Sequence, residues 1–286
     1  MSTLIAVLFD GFSYGMLLFL LSVGLSVTLG LMNFTNLAHG AFAMLGGYVT
    51  YALVESAGWP FLATLPLAFL ATALVAAVFE AVLFRRIYKS GELNQVLLTI
   101  GVVFASYAVA AFFFGTVHHS VDLPDYLKGF VEIGDLKLPA YRIFLVIVAL
   151  AVTAGLILFL EFTRFGAMVR AAVDNDKVAG GLGLNINAIF ALTFALGSGL
   201  AGLGGALAID ILFIDPNFGF HILVPVLIVV SIGGLGSIWG SFLAAAALGI
   251  FDVAGKFLFP DFGPFLIYLF MVVILFFRPN GFFARR

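Results

Sequence analysis

Long apolar runs follow one another along this chain with almost no charge inside them, and that pattern admits few folds. Charge-poor stretches lie near 12–32, 37–54, 61–83, 95–114, 141–160, 188–209, 220–259 and 262–277. An apolar helix needs about 20 residues to cross the hydrocarbon core, and most of these stretches supply that length. Asp10 and Glu55 are the only charged residues before Glu80. The chain is 63% hydrophobic and 10% charged, against roughly 45–50% and 25% in soluble domains, too polar-poor to clothe a soluble core. Continuous apolar runs exclude the alternating strands of a membrane barrel, so the crossings are helices. The sequence therefore predicts an all-α polytopic membrane protein, one transmembrane domain over 1–286 with about 8–9 helices.

Basic residues set the orientation. The loop 85–94 carries Arg85, Arg86 and Lys89, and 162–187 carries Arg164, Arg170 and Lys177. Between them, 115–140 mixes Lys128 and Lys137 with Asp122, Asp125, Glu132 and Asp135. Positive residues stay inside, which places 85–94 and 162–187 in the cytoplasm and 115–140 on the periplasmic side. The tail with Arg278, Arg285 and Arg286 also reads as cytoplasmic. The start, MSTLIAVLFDG, lacks a basic region and a small-residue cleavage site, so it reads as an uncleaved membrane entry. From 187 to 278 the chain must cross an even number of times, yet only three apolar stretches are visible there. The parity is restored if the glycine cluster SIGGLGSIWGS (231–241) splits the long stretch 220–259 in two.

A comparable interruption, NFTNLAHGAFAMLGG (33–47), stands in the first half, and His39-Gly40-Ala41-Phe42 aligns with Trp239-Gly240-Ser241-Phe242. Duplicated breaks in transporter helices point to the substrate path. Small residues also simply permit close helix packing, as in Gly236-xxx-Gly240. Broken or re-entrant helices are expected near 33–47 and 231–241. Asn33, Thr35, Asn36 and His39 cluster in the first break, where they either line a water-filled path or, for Thr35 and Asn36, cap the next helix. With Gly40, Phe42, Gly236, Trp239 and Gly240 they form the candidate substrate path. Glu80 is expected at the interface near Arg86, and Asp252 with Lys256 as an i,i+4 pair. Asp210 and Asp215 fall at segment ends, where solvation is cheap.

Several chemistries are excluded. The net charge of −2 offers no basic surface for nucleic acid. The chain has no Cys, which removes disulfides and Cys-based metal sites, and no carboxylate accompanies His118 and His119 at ligand spacing. The only Gly-Lys pair, Gly255-Lys256, precedes Phe257 in an apolar stretch, so there is no Walker A loop and no ATP site of the chain's own. No ladder of acids and arginines marks a proton-coupled carrier. By contrast, 162–187 is far longer than a plain turn, and 166–178 reads as a short amphipathic helix ended by Gly180, Gly181 and Gly183. A structured loop of that kind is expected to dock onto a partner.

The elements NFTNLAHGAFAMLGGYV (33–49), TRFGAMVRAAVDNDKVAGGLGLN (163–185), FALTFALGSGLAGLGGAL (190–207), VVSIGGLGSIWGSFLAAAALG (229–249) and the closing RPNGFF (278–283) together resemble the LivH-like permeases of branched-chain amino acid ABC importers. Their order and spacing match over nearly the whole chain. The resemblance implies a type II importer-like permease of the bacterial inner membrane. Its partners would be a second, LivM-like permease, two cytoplasmic ATPase subunits that bind the ATP and Mg²⁺, and a periplasmic binding protein. It assigns the ATPase-coupling role to Arg164, Gly166, Arg170, Ala171, Ala172, Asp174, Asp176 and Gly183. A Gly180-Gly181 pair stands where bulkier residues are expected. Related permeases also serve importers of urea and short amides, and an ion-coupled secondary transporter or a scaffold without a path are the readings from other classes.

Overall fold

In hydrocarbon each backbone N–H and C=O must find its partner within the chain, which selects helices wherever this sequence is apolar. A computed structural model describes residues 2–282 apart from 33, 35, 89, 135, 279 and 280. The helices are α1 (Ser2–Met32), α2 (His39–Tyr51), α3 (Phe61–Val82), α4 (Glu92–Phe114), α5 (Ala140–Phe162), α6 (Arg164–Asp174), α7 (Asp176–Gly181), α8 (Ile186–Ala208), α9 (Phe218–Gly233), α10 (Ile238–Leu258) and α11 (Gly263–Phe277). Among the described residues six helical spans are long and apolar enough to cross a membrane, beginning at Thr3, Phe61, Glu92, Ala140, Ile186 and Ile238. The chain is an all-α multi-pass membrane protein. The shorter apolar helices α9 and α11, and α2 prolonged by a π-helical turn over Ala52–Ser56, complete the bundle.

α1 is the axis. Its most apolar window is 78% buried, whereas those of α4 and α5 are only 17% and 22% buried and face outward. Around α1 the glycines decide the packing. A Cβ on Gly24 would collide with the Gly197 carbonyl of α8, and one on Gly15 with the Ala245 carbonyl of α10. Gly11 lies on Ile250 and Gly15 on Ala245, so α10 runs antiparallel to α1. Such backbone contact is the device by which helices associate in lipid, where burial of apolar surface gives little drive. The Ser241 hydroxyl donates to Ser26 Oγ at 2.9 Å, tying α10 to α1 again. At one end Arg142 of α5 pairs with Asp10 of α1 at 3.2 Å. Here Tyr141 donates to the Leu207 carbonyl at 2.7 Å, joining α5 to the end of α8. The opposite end carries Arg85, Arg86, Arg164 and Arg170 and is called the basic end below.

The segment 220–259 does divide, into α9 and α10, and four helices separate 187 from 278 as parity requires. The division differs from the expected re-entrant break. Residues 234–237 form a reversal at the basic end, made possible by Gly234 and Gly236 at φ 90° and 77°, a region that disfavours side chains. The interruption inside the bundle is instead 209–217, ahead of α9. The loop 115–139 holds a hairpin of β1 (Phe130–Ile133) and β2 (Leu136–Pro139), Phe130 opposite Pro139, which the sequence reading did not foresee. Glu80 differs too: it is fully buried and pairs with Arg85 rather than Arg86, Nη2 to Oε2 at 2.6 Å. Asp252 and Lys256 form the expected i,i+4 pair at 2.6 Å.

Gly24→Val forces a side chain into backbone and should cost at least about 2 kcal/mol, whereas Gly101→Val enters open space on α4 and should leave stability unchanged or slightly raised. Melting of the two variants in detergent, read as the temperature at which the monodisperse peak disappears, separates them; equal melting would contradict the packing. Arg85→Met leaves the buried Glu80 carboxylate without its partner, and the same assay should show destabilisation on the order of 2 kcal/mol, discounted for the solvent exposure of Arg85.

Candidate coupling segment and translocation path

The segment after α5 is built by caps. Thr163, extended at φ −105° and ψ 160°, accepts from the Gly166 N–H at 3.2 Å and starts α6. Asn175, at φ −158° and ψ 98°, ends α6 and accepts from the Val178 N–H at 3.0 Å to start α7. The single amphipathic helix expected over 166–178 is therefore two helices, because an Asn side chain satisfies a helix start better than a helix interior. Gly180 and Gly181 close α7, and Gly183 at φ 90° turns the chain toward α8.

This segment is moored to the bundle. The Arg170 guanidinium donates to the Leu160 carbonyl at the end of α5, where the helix dipole favours a cation. A Cβ on Gly166 would strike the same carbonyl. Val169 and Ala172 pack with Ile189 of α8 and the partly buried Leu31 of α1 in a small core of their own. The coupling residues implied by the resemblance thus divide by face. Gly166 and Ala172 are buried and Arg170 points inward, while Arg164, Ala171, Asp174, Asp176 and Gly183 are exposed. Leu182 is 81% exposed beside them. A cavity of about 210 Å³ separates the moored face from the 234–237 turn, bordered by Leu31, Glu161, Arg170, Ser237 and Trp239.

The two expected breaks do not lie together. Gly236 rests on Gly30 and Gly240 on Gly233, and Trp239, half exposed in the first turn of α10, borders the basic-end cavity. Gly236, Trp239 and Gly240 therefore lie at the basic end and not in mid-bundle, because the glycine cluster serves a helix reversal. The partner of the first break is the start of α9: Gly40 of α2 lies against the Gly219 carbonyl. His39 is buried and bonds the Leu21 carbonyl through Nε2 at 2.8 Å. Asn36 does not cap α2, whose N-cap is Ala38 without a side-chain bond. Both amide atoms of Asn36, 1% exposed, and His39 Nδ1 have no hydrogen-bond partner among the described residues. Asn33 and Thr35 lie outside the described residues. Phe42 is buried between Phe79 and Phe194 and borders an apolar groove of about 510 Å³ between α2, α3 and α4.

A second polar group escaped the sequence reading. Near the start of α9, His221 and Val224 are exposed beside the N-cap residue Asn217. The first turn of α9 lies at the depth of mid-α4, since the Phe220 ring packs 5.2 Å from that of Phe104. Just ahead of α9, Asp215 is 7% exposed with its carboxylate 4.0 Å from His221 Nδ1 and 3.7 Å from His118 Nδ1. The available signal was a histidine inside an otherwise apolar helix. The loop that brings His118 over it is set by the His119–Ile214 backbone bridge, 2.8 and 2.9 Å, which no local pattern announces.

Comparison with known proteins agrees with this architecture. The family model described as branched-chain amino acid transport system, permease component, matches residues 7–275. The chain is similar to the high-affinity branched-chain amino acid transport system permease protein BraD of Pseudomonas aeruginosa, 28% identical over 97% of this chain and 95% of that one. It is 24% identical to the permease protein LivH of the same kind of system in Escherichia coli, over 97% and 94% of the two chains. A probable LivH of Methanocaldococcus jannaschii is 27% identical over 94% of this chain and 89% of its own. No solved structure matches. With the family model covering nearly all of it, this chain belongs to the permease-component family of branched-chain amino acid transport systems.

Proposed function

We propose that the chain is the membrane-spanning permease subunit of an ATP-driven importer in the bacterial inner membrane, translocating branched-chain or related amino acids handed over by a periplasmic binding protein. The observation that carries the reading is the moored segment α6–α7, which keeps one face fixed to α1, α5 and α8 while Arg164, Ala171, Asp174 and Asp176 stay uncovered. A helix held that way transmits displacement from an outside partner into the bundle. The partners are two ATPase subunits on that face, which supply ATP and Mg²⁺, and a second, LivM-like permease beside the outward helices. The basic end is cytoplasmic under the positive-inside rule. Helix directions then alternate over nine passes, with α2, α9 and α11 as short ones, and the chain starts on the periplasmic side.

Glu80 and Asp252, the acids an ion-coupled carrier would draw on, are each closed in a pair with Arg85 or Lys256. Urea or a short amide as the solute would use the same coupling device.

Asp174→Lys reverses an exposed charge on the uncovered face without touching the mooring. In cells carrying the whole importer, leucine uptake should fall at least about tenfold, the scale of a like-charge contact at an interface, while the amount of chain in the membrane stays unchanged. Arg170→Ala should lower both, because it releases the mooring. Full uptake by Asp174→Lys, Asp176→Lys and their combination would refute docking on this face.

A further inference from the structure

The geometry points to Asp215, His118 and His221 as a receiving subsite for the zwitterionic end of an amino acid, between the loop after α4 and the start of α9. The inference rests on the reading of the chain as an amino-acid permease and deepens it.

The argument begins with Asp215. Its side chain is nine-tenths buried, and no described side chain or backbone group donates a hydrogen bond to its carboxylate, whose oxygens stay open to the outside. A carboxylate on so recessed a side chain normally collects such donors, since it has lost much of its water. Its neighbours are instead two imidazoles, at 3.7 and 4.0 Å, both beyond hydrogen-bond reach and both largely exposed, 70% and 67%. The third histidine nearby is used differently: His119 bonds the Phe114 carbonyl at 3.0 Å and packs on the Tyr51 ring. The triad is therefore one recessed acceptor between two free ring donors, open on one side.

That arrangement has the polarity of an amino acid's backbone. An α-ammonium group reaches the recessed Asp215 oxygens, and the α-carboxylate receives N–H bonds from the two exposed rings. A neutral amide or urea has no cation to place beside the carboxylate. Position fits as well. His221 is exposed in the first turn of α9, level with the middle of α4, whereas His118 belongs to the loop after α4. An imidazole uncovered at that depth is costly against lipid and belongs on a wet or partnered face. The segment between Ala208 and Phe218 also holds Phe213, a non-glycine residue at φ 53°, whose ring lies 6.5 Å from that of His118. Backbone forced into that region marks segments shaped by something other than local preference.

The test measures uptake of radiolabelled leucine, below saturation, in cells carrying the complete importer. The variants of this chain are Asp215→Asn, Asp215→Glu and the double His118→Gln, His221→Gln, and assembled complex in the membrane is quantified for each. Asp215→Asn should reduce uptake at least about tenfold, the scale of one charge-assisted hydrogen bond, with complex amount unchanged, and Asp215→Glu should recover part of it. The double variant should reduce uptake less, because Gln retains an N–H donor. Asp215→Asn uptake within twofold of the parent chain would overturn the subsite, and so would loss of assembled complex in both Asp215 variants. If the parent chain moves neither leucine nor valine, the permease reading fails and the subsite with it; if the parent moves leucine and Asp215→Asn does also, only the subsite fails.

Discussion

Backbone-to-backbone contact along α1 is the constraint on which the remaining structure depends. Lipid tails are as apolar as leucine, so burying apolar side chains does not by itself bring helices together, and close approach must supply the attraction. Gly24 against Gly197 and Gly15 against Ala245 bring α8 and α10 onto α1 at distances that no side chain would allow. Once those three helices are fixed, α2 and α9 have only the remaining space, and their first turns meet at Gly40 and Gly219. The outward helices α4 and α5 then hang on this core by few interactions, Arg142–Asp10 and Tyr141–Leu207 among them.

From that arrangement follows a division of labour between the two ends. At the basic end, Arg170 and Gly166 hold α6 on the C-terminus of α5, and Leu31 of α1 shares its small core. A push on α6 therefore reaches the central helix through packed atoms. At the other end, the segment 209–217 and the loop after α4 are joined by the His119–Ile214 bridge. The short helices α2 and α9 lie between, with Asn36 buried and without a hydrogen-bond partner among the described residues in the break ahead of α2. A bundle with discontinuous helices and unpaired polar groups in its middle has a place where backbone can rearrange, which a uniformly packed bundle lacks.

Much of this was legible in the residues. Run length and charge gave the helical membrane class, and parity alone required 220–259 to divide. The cap read at Asn36 is not made, whereas Thr163, Asn175 and Asn185, whose side chains do cap helices, were not singled out. What could not be read were relations between distant segments. Trp239-Gly240 resembles His39-Gly40 in composition, but one glycine pair makes a reversal and the other a crossing. Distinguishing them needs to know that Gly236 meets Gly30 and Gly40 meets Gly219. Asp215 was read as a solvated segment end because nothing local shows that His118, nearly a hundred positions away, lies beside it.

The central claim is that the moored segment serves a partner ATPase. Purification of this chain from its native membrane in mild detergent, with identification of what accompanies it, tests that most directly. The account predicts two ATPase subunits and a second permease in the same particle, and ATP hydrolysis by that particle that rises when amino-acid-loaded binding protein is added. A chain that purifies alone and still moves leucine into liposomes without ATP would contradict it.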